Sequence, residues 1–256
     1  MNAVTAAIRG AAGSGPALVA YLTAGFPRRE GSLELLCAVA AAADVVEIGV
    51  PFSDPMADGR TIQRSSRTAL AEGATLRWLL AELTSAGGRF AAPMLLMSYF
   101  NPLLAFGLDA LPVAARRAGV AGFIVPDLPL EENAEFSIAL DRESLSLVQF
   151  VAPATPPERA SRICAASQGF AYALTTTGVT GQDVALPEAT LDYLSRLRRC
   201  SPVPVCAGFG IRHRDQVERL APHVDGVIVG SALIEVIERG EDAVRFLEGL
   251  RPRRAV

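Results

Sequence analysis

Short aliphatic runs separated by longer segments of mixed polarity recur along the whole chain. The runs lie at 17–22 (ALVAYL), 45–50 (VVEIGV), 94–98 (MLLMS), 122–126 (GFIVP), 146–151 (SLVQFV), 170–175 (FAYALT), 203–207 (VPVCA) and 226–230 (GVIVG), and each reads as a strand. Amphipathic stretches follow at 31–43, 61–86, 108–118, 131–142, 156–167, 187–199, 213–221 and 232–249, and these read as helices. Ser32, Asp109 and Ser231 have the character of helix starters. Eight strands alternating with eight helices predict a parallel sheet with right-handed crossovers. At 256 residues the chain has the size of an α/β (β/α)8 TIM barrel. A single domain spanning 1–256 is expected, with a doubly wound open sheet as the alternative.

One position breaks the aliphatic pattern. Glu47 interrupts the second run, and alternation sets Val45, Glu47 and Gly49 on one face and Val46, Ile48 and Val50 on the other. If the aliphatic set faces the helices, the acid points into the barrel near its mouth. Partial desolvation there raises a carboxyl pKa and suits it to acid and base work near neutral pH. Asp58 follows in the Gly/Pro-rich loop, from which it could reach the same substrate, although spacing alone favours a turn residue in ADGR; Asp54 reads as a loop cap or a link to a partner surface.

Barrels of this kind carry their chemistry on the loops after the strands. The loops after the last three predicted strands are glycine-rich, with Gly178 and Gly181, Gly208 and Gly210, and Gly230. Gly230-Ser231 opens directly onto a helix, whose unpaired N–H groups suit a phosphate. A small phosphorylated metabolite is therefore the expected ligand.

Composition narrows the chemistry. All 24 basic residues are arginine, so lysine imine chemistry and covalent pyridoxal phosphate attachment are excluded. The two histidines, His213 and His223, lie away from predicted strand ends, which makes a zinc site of three protein ligands hard to assemble. No cofactor or metal is expected, and carboxylates are the main proton carriers. The four cysteines show no ligand spacing and read as reduced thiols. A net charge of −3 offers no basic field for nucleic acid or anionic membrane. No signal peptide and no membrane-length apolar run is read, and a cytoplasmic location is expected.

The stretch EIGVPFSDPMADGRTIQ (47–63) closely resembles the signature of the tryptophan synthase alpha subunit family. YLTAGFP (21–27), LMSYFNPLL (96–104), VPDLPLEE (125–132), APATPPER (152–159), TGVTG (177–181), GFGI (208–211) and VGSAL (229–233) resemble further parts of that pattern in the same order. The resemblance implies cleavage of indole-3-glycerol phosphate to indole and glyceraldehyde 3-phosphate, with Glu47 as general acid/base and Asp58 holding the indole N–H. It implies that Tyr21, Ile62, Tyr172, Thr180 and Phe209 border the substrate, Thr180 by orienting Asp58, and that Gly181, Gly210, Gly230 and Ser231 bind its phosphate.

It also implies docking on a pyridoxal phosphate-bearing beta subunit in an alpha2beta2 complex. Ser53, Asp54, Pro55, Asn101 and Pro129 would form that contact. Arg60 stands where the family usually has proline, and Thr176 where some members have arginine. A stand-alone lyase releasing free indole, a non-catalytic scaffold for a beta subunit and a sugar-phosphate epimerase on the same barrel are the other readings considered.

Overall fold

The computed structural model describes residues 1–175, 187–208 and 210–252. Eight parallel strands close into a barrel in sequence order, with β8 paired to β1. They are β1 (Ala17–Thr23), β2 (Val45–Gly49), β3 (Met94–Met97), β4 (Val120–Ile124), β5 (Ser146–Val151), β6 (Ala171–Leu174), β7 (Val205–Gly208) and β8 (Gly226–Val229). Every predicted strand is present within two or three residues of its expected bounds. The open-sheet alternative is excluded, because an open sheet has two edges and this one has none.

The alternation within β2 holds as expected. Val46, Ile48 and Val50 belong to the apolar layer shared with the helices, whereas Val45 belongs to the barrel interior with Val19, Leu95, Ile124, Val148 and Ile228. Register places Glu47 beside Tyr21 of β1 and Leu95 of β3.

The helices depart from expectation in four places. Helix α1 (Ala3–Ala11) was not anticipated. Val4 and Ile8, one turn apart and both buried, join the interior cluster, and the Thr5 hydroxyl donates to the Gly169 carbonyl at 2.7 Å just before β6. The helix thus plugs the end of the barrel where the strands begin. Helix α2 (Ser32–Ala42) is as expected, but the segment 61–86 is two helices, α3 (Arg60–Ala71) and α4 (Leu76–Ala86). Gly73, at φ +77°, ends the first, and the Thr75 hydroxyl caps the second by accepting from the Trp78 N–H. A short α5 (Phe100–Phe106), also unanticipated, precedes α6 (Ala110–Arg117), α7 (Ala134–Arg142), α8 (Pro157–Ala166), α9 (Glu188–Cys200) and α10 (Arg214–Leu220). The segment 232–249 divides likewise into α11 (Ser231–Glu238) and α12 (Ala243–Leu250), with Gly240 at φ +69° and Asp242 as the cap.

The starter residues also need correction. Ser32 and Ser231 are first helical residues after Gly31 and Gly230, and Asp109 makes no capping hydrogen bond.

Filling the barrel floor with α1 makes Ile8 part of the core. Ile8→Ala is expected to cost about 2–4 kcal/mol of unfolding free energy, measured by urea denaturation. A loss well under about 1 kcal/mol, typical of a surface position, would contradict the plug.

Candidate functional site

All eight strands run the same way, so their C-terminal ends share one rim, and there a cavity of about 590 Å³ opens. Its floor is Glu47, fully buried, with neither carboxyl oxygen meeting a hydrogen-bond partner among the described residues. Burial alone therefore sets the proton affinity of this group, pushing its pKa up from 4.5 to about 8. At neutral pH the side chain is mostly a neutral acid.

Tyr21 stands beside it on β1. Its hydroxyl leans over Gly49, where an added Cβ would lie 2.1 Å from the oxygen, so only glycine admits the ring there. Tyr21 reaches Thr23 at 3.5 Å, and the Thr23 hydroxyl pairs with that of Ser65 on α3 at 2.7 Å. On the opposite wall Tyr172 of β6 packs against Phe150 of β5, the ring centroids 4.6 Å apart. Burial raises the hydroxyls of both tyrosines far above their ordinary range, so both remain neutral hydroxyls.

Asp58 enters from the loop after β2 and is half-buried; loss of water raises its pKa as well. Unlike Glu47 it has a partner. The Tyr99 hydroxyl, at the end of the loop after β3, accepts the Ala57 N–H at 2.8 Å and donates to the Asp58 carboxyl, favouring the charged form. The Gln63 side chain donates to the Asp58 carbonyl at 2.9 Å, fixing the loop on the first turn of α3. Arg60 is exposed and is the first residue of that helix. A first helical N–H has no intrahelical acceptor, so arginine and proline are both compatible with that position.

Ile62, Met97, Leu174, Ile211 and Ile228 supply apolar wall, and Gly208, Gly210, Gly230 and Ser231 line the side where α11 begins. The cavity is therefore apolar and aromatic along its length, with a helix N-terminus at one end and two carboxyl groups at the other parts of its lining. Among the described residues no group of three or more His, Cys, Asp or Glu side chains could hold a metal ion.

Of the residues expected at the site, Glu47, Asp58, Tyr21, Ile62, Tyr172, Gly210, Gly230 and Ser231 all line this cavity. Thr180, Gly181 and Phe209 lie outside the described residues, as do Gly178 and Thr176. Ser53, Asp54, Asn101 and Pro129 are exposed and Pro55 is half-buried; Ser53, Asp54 and Pro55 lie on the loop after β2, Asn101 in the first turn of α5 after β3, and Pro129 on the loop after β4, all at the cavity end of the barrel. The Phe100 N–H donates to Asp127 at 2.9 Å, tying the loops after β3 and β4 together. The sequence reading missed Tyr99, Phe150 and Met97. Phe150 and Met97 were within reach, because both lie at the C-terminal ends of predicted strands.

The family model for the tryptophan synthase alpha chain matches residues 9–249. This chain belongs to the tryptophan synthase alpha chain family. The alpha chain of Nitratidesulfovibrio vulgaris is 42% identical over 239 residues, 93% of each chain. A Mycobacterium tuberculosis tryptophan synthase structure superposes with a TM-score of 0.87 at 35% identity, covering 96% of this chain and 95% of that one. The tryptophan synthase complex of Pyrococcus furiosus gives 0.82 at 34% identity, covering 93% and 98%. The tryptophan synthase alpha reaction is cleavage of indole-3-glycerol phosphate, a lyase step in tryptophan biosynthesis. Members of the family are subunits of tryptophan synthase complexes. Among the described residues no helix is long and apolar enough to cross a membrane.

Tyr99→Phe removes the hydrogen bond that favours charged Asp58. The Asp58 carboxyl is then expected to keep its proton to higher pH than in the wild type, read by carboxyl-carbon NMR titration. An unchanged midpoint would show that Tyr99 does not hold Asp58.

Proposed function

We propose that this cavity cleaves indole-3-glycerol phosphate with Glu47 as the general acid and base and Asp58 as the partner of the indole nitrogen. The observation that carries the reading is Glu47 itself: a carboxyl group fully buried on the cavity floor, without a hydrogen-bond partner and with its pKa pushed up to about 8. A purely structural acid at that depth would need a partner. The phosphate end of the substrate lies at Gly210, Gly230 and the Ser231 N-terminus of α11, and the ring lies between Tyr21, Ile62 and Tyr172; the family resemblance adds Gly181 to the first set and Phe209 to the second.

The chemistry follows from the two protonation states. Neutral Glu47 gives its proton to C3 of the indole ring, the carbon that carries the glycerol chain. The ring nitrogen takes up the positive charge, and Asp58, held toward its charged form by Tyr99, accepts the N–H and offsets that charge. Glu47, now a carboxylate, helps remove the proton of the adjacent glycerol hydroxyl. The bond between C3 and the carbinol carbon breaks, its electron pair returns to the ring, and the carbinol becomes the aldehyde of glyceraldehyde 3-phosphate. Ring and acid regain their starting states. Thr180 supports Asp58 in this scheme.

The partner is a beta subunit bearing pyridoxal phosphate, in an alpha2beta2 complex, docked on Ser53, Asp54, Pro55, Asn101 and Pro129. Support comes from their clustering on neighbouring loops at the cavity end. A cytoplasmic location and one domain over residues 1–256 complete the proposal.

Glu47→Gln keeps the shape and removes the transferable proton. General acid/base catalysis by one group is worth ~10² to 10⁴ in rate, so turnover is expected to fall at least about 100-fold while the substrate still binds. Indole release by the purified variant, with a beta subunit present, measures this. Turnover within a few-fold of wild type would overturn the assignment of Glu47.

A further inference from the structure

Outside the cavity, one carboxylate connects three of the segments that line it. Glu235 lies four residues after Ser231, one turn along the same side of α11. Its carboxylate accepts both ends of the Arg212 guanidinium, at 2.6 and 3.2 Å, and the Thr61 hydroxyl at 3.2 Å. Arg212 directly follows Gly210 and Ile211 in the loop after β7, and Thr61 stands between Asp58 and Ile62 at the start of α3. Each partner is thus within three residues of a group lining the cavity.

A second ion pair joins α3 and α11 one turn further on, Arg64 with Glu238 at 2.7 Å, and it provides an internal contrast. Its side chains are 46% and 37% exposed, whereas Arg212 and Glu235 are 26% and 23% exposed. Exposed pairs are screened by water and constrain little. A bidentate guanidinium–carboxylate pair with limited exposure fixes both separation and orientation. The Arg64–Glu238 pair joins α3 to α11 alone, whereas the Glu235 carboxylate holds α3 and the loop after β7 at once.

We propose that Glu235 is a positioning residue for the cleavage, holding the first turn of α11, the loop after β7 and the start of α3 in one fixed arrangement. Resting on the site reading above, this assigns it to the phosphate end of the substrate, where two of the three segments meet. Losing the clamp lets those backbone N–H groups drift apart, which weakens binding in ground state and transition state alike. The effect then falls on KM and leaves kcat largely unaltered.

The test compares wild type, Glu235→Gln, Arg212→Met, the double variant and Arg64→Ala, each with its thermal midpoint recorded. Arg212→Met retains an aliphatic stem for packing. Indole-3-glycerol phosphate turnover is expected to show KM about five- to tenfold higher in either clamp variant, with kcat within about twofold. The double variant should be no worse than the stronger single one, because both remove one interaction, and Arg64→Ala should match wild type. Calorimetric titration with glycerol 3-phosphate should show the same weakening without turnover. Lower thermal midpoints with unchanged KM and unchanged glycerol 3-phosphate affinity would mean a merely structural pair and overturn the proposal, as would additive effects in the double variant. Wild type that binds glycerol 3-phosphate but releases no indole would sink the site reading, while the calorimetric arm would still decide the role of Glu235.

Discussion

The structure turns on the desolvation of one carboxyl group. Taking an ionised carboxylate out of water without a partner is so unfavourable that the group holds a proton instead. Glu47 meets that condition because closure of the barrel surrounds β2 on both edges, because Tyr21 and Leu95 stand beside it in register, and because neither of its oxygens finds a donor. The aliphatic residues on the other face of β2 anchor the strand against the helices, so the acid cannot turn away without exposing them. An acid available at neutral pH is thus a consequence of fold closure.

Asp58 supplies the contrast that gives two carboxyl groups two roles. It comes from a loop, keeps some exposure and receives the Tyr99 hydroxyl, which offsets part of its desolvation. Burial raises both carboxyl pKa values, but only at Asp58 does a hydrogen bond to the charged form oppose that rise, and such a difference in environment is how acid and base functions are divided between like residues. Tyr99 also ties the loop that carries Asp58 to the segment that begins α5. Of the residues proposed to meet a partner, Ser53, Asp54 and Pro55 lie on the first of these segments and Asn101 on the second. Partner docking would therefore bear on the placement of Asp58 more directly than on Glu47, which is held by the strand.

The barrel was legible because parallel strands buried on both faces read as continuous aliphatic runs, and each is bounded by turn residues. Its boundaries with α1 and α5 were less so. Helix α1 shows only two core residues, Val4 and Ile8, and its role as a plug depends on the far-separated Gly169. The breaks at Gly73 and Gly240 were readable in principle, each being a glycine followed by a Thr or Asp cap two residues later. Glu47 announced itself by violating the pattern of its strand. Tyr99 and Glu235 did not, since a tyrosine after a strand and a glutamate on a helix are ordinary; Tyr99 meets Ala57 42 residues away, and Glu235 meets Arg212 and Thr61 at separations of 23 and 174 residues. Family resemblance supplied what physics of the sequence alone did not, namely which phosphorylated substrate to propose for the cavity.

Glu47 as a neutral acid at physiological pH is read directly by infrared difference spectroscopy of wild type against Glu47→Gln. A protonated carboxyl stretch present in the wild type at pH 7, absent from the variant, and lost as the pH rises through about 8 is the predicted result. A wild type already showing only the ionised carboxylate at pH 7, with a midpoint near the ordinary 4.5, would contradict it.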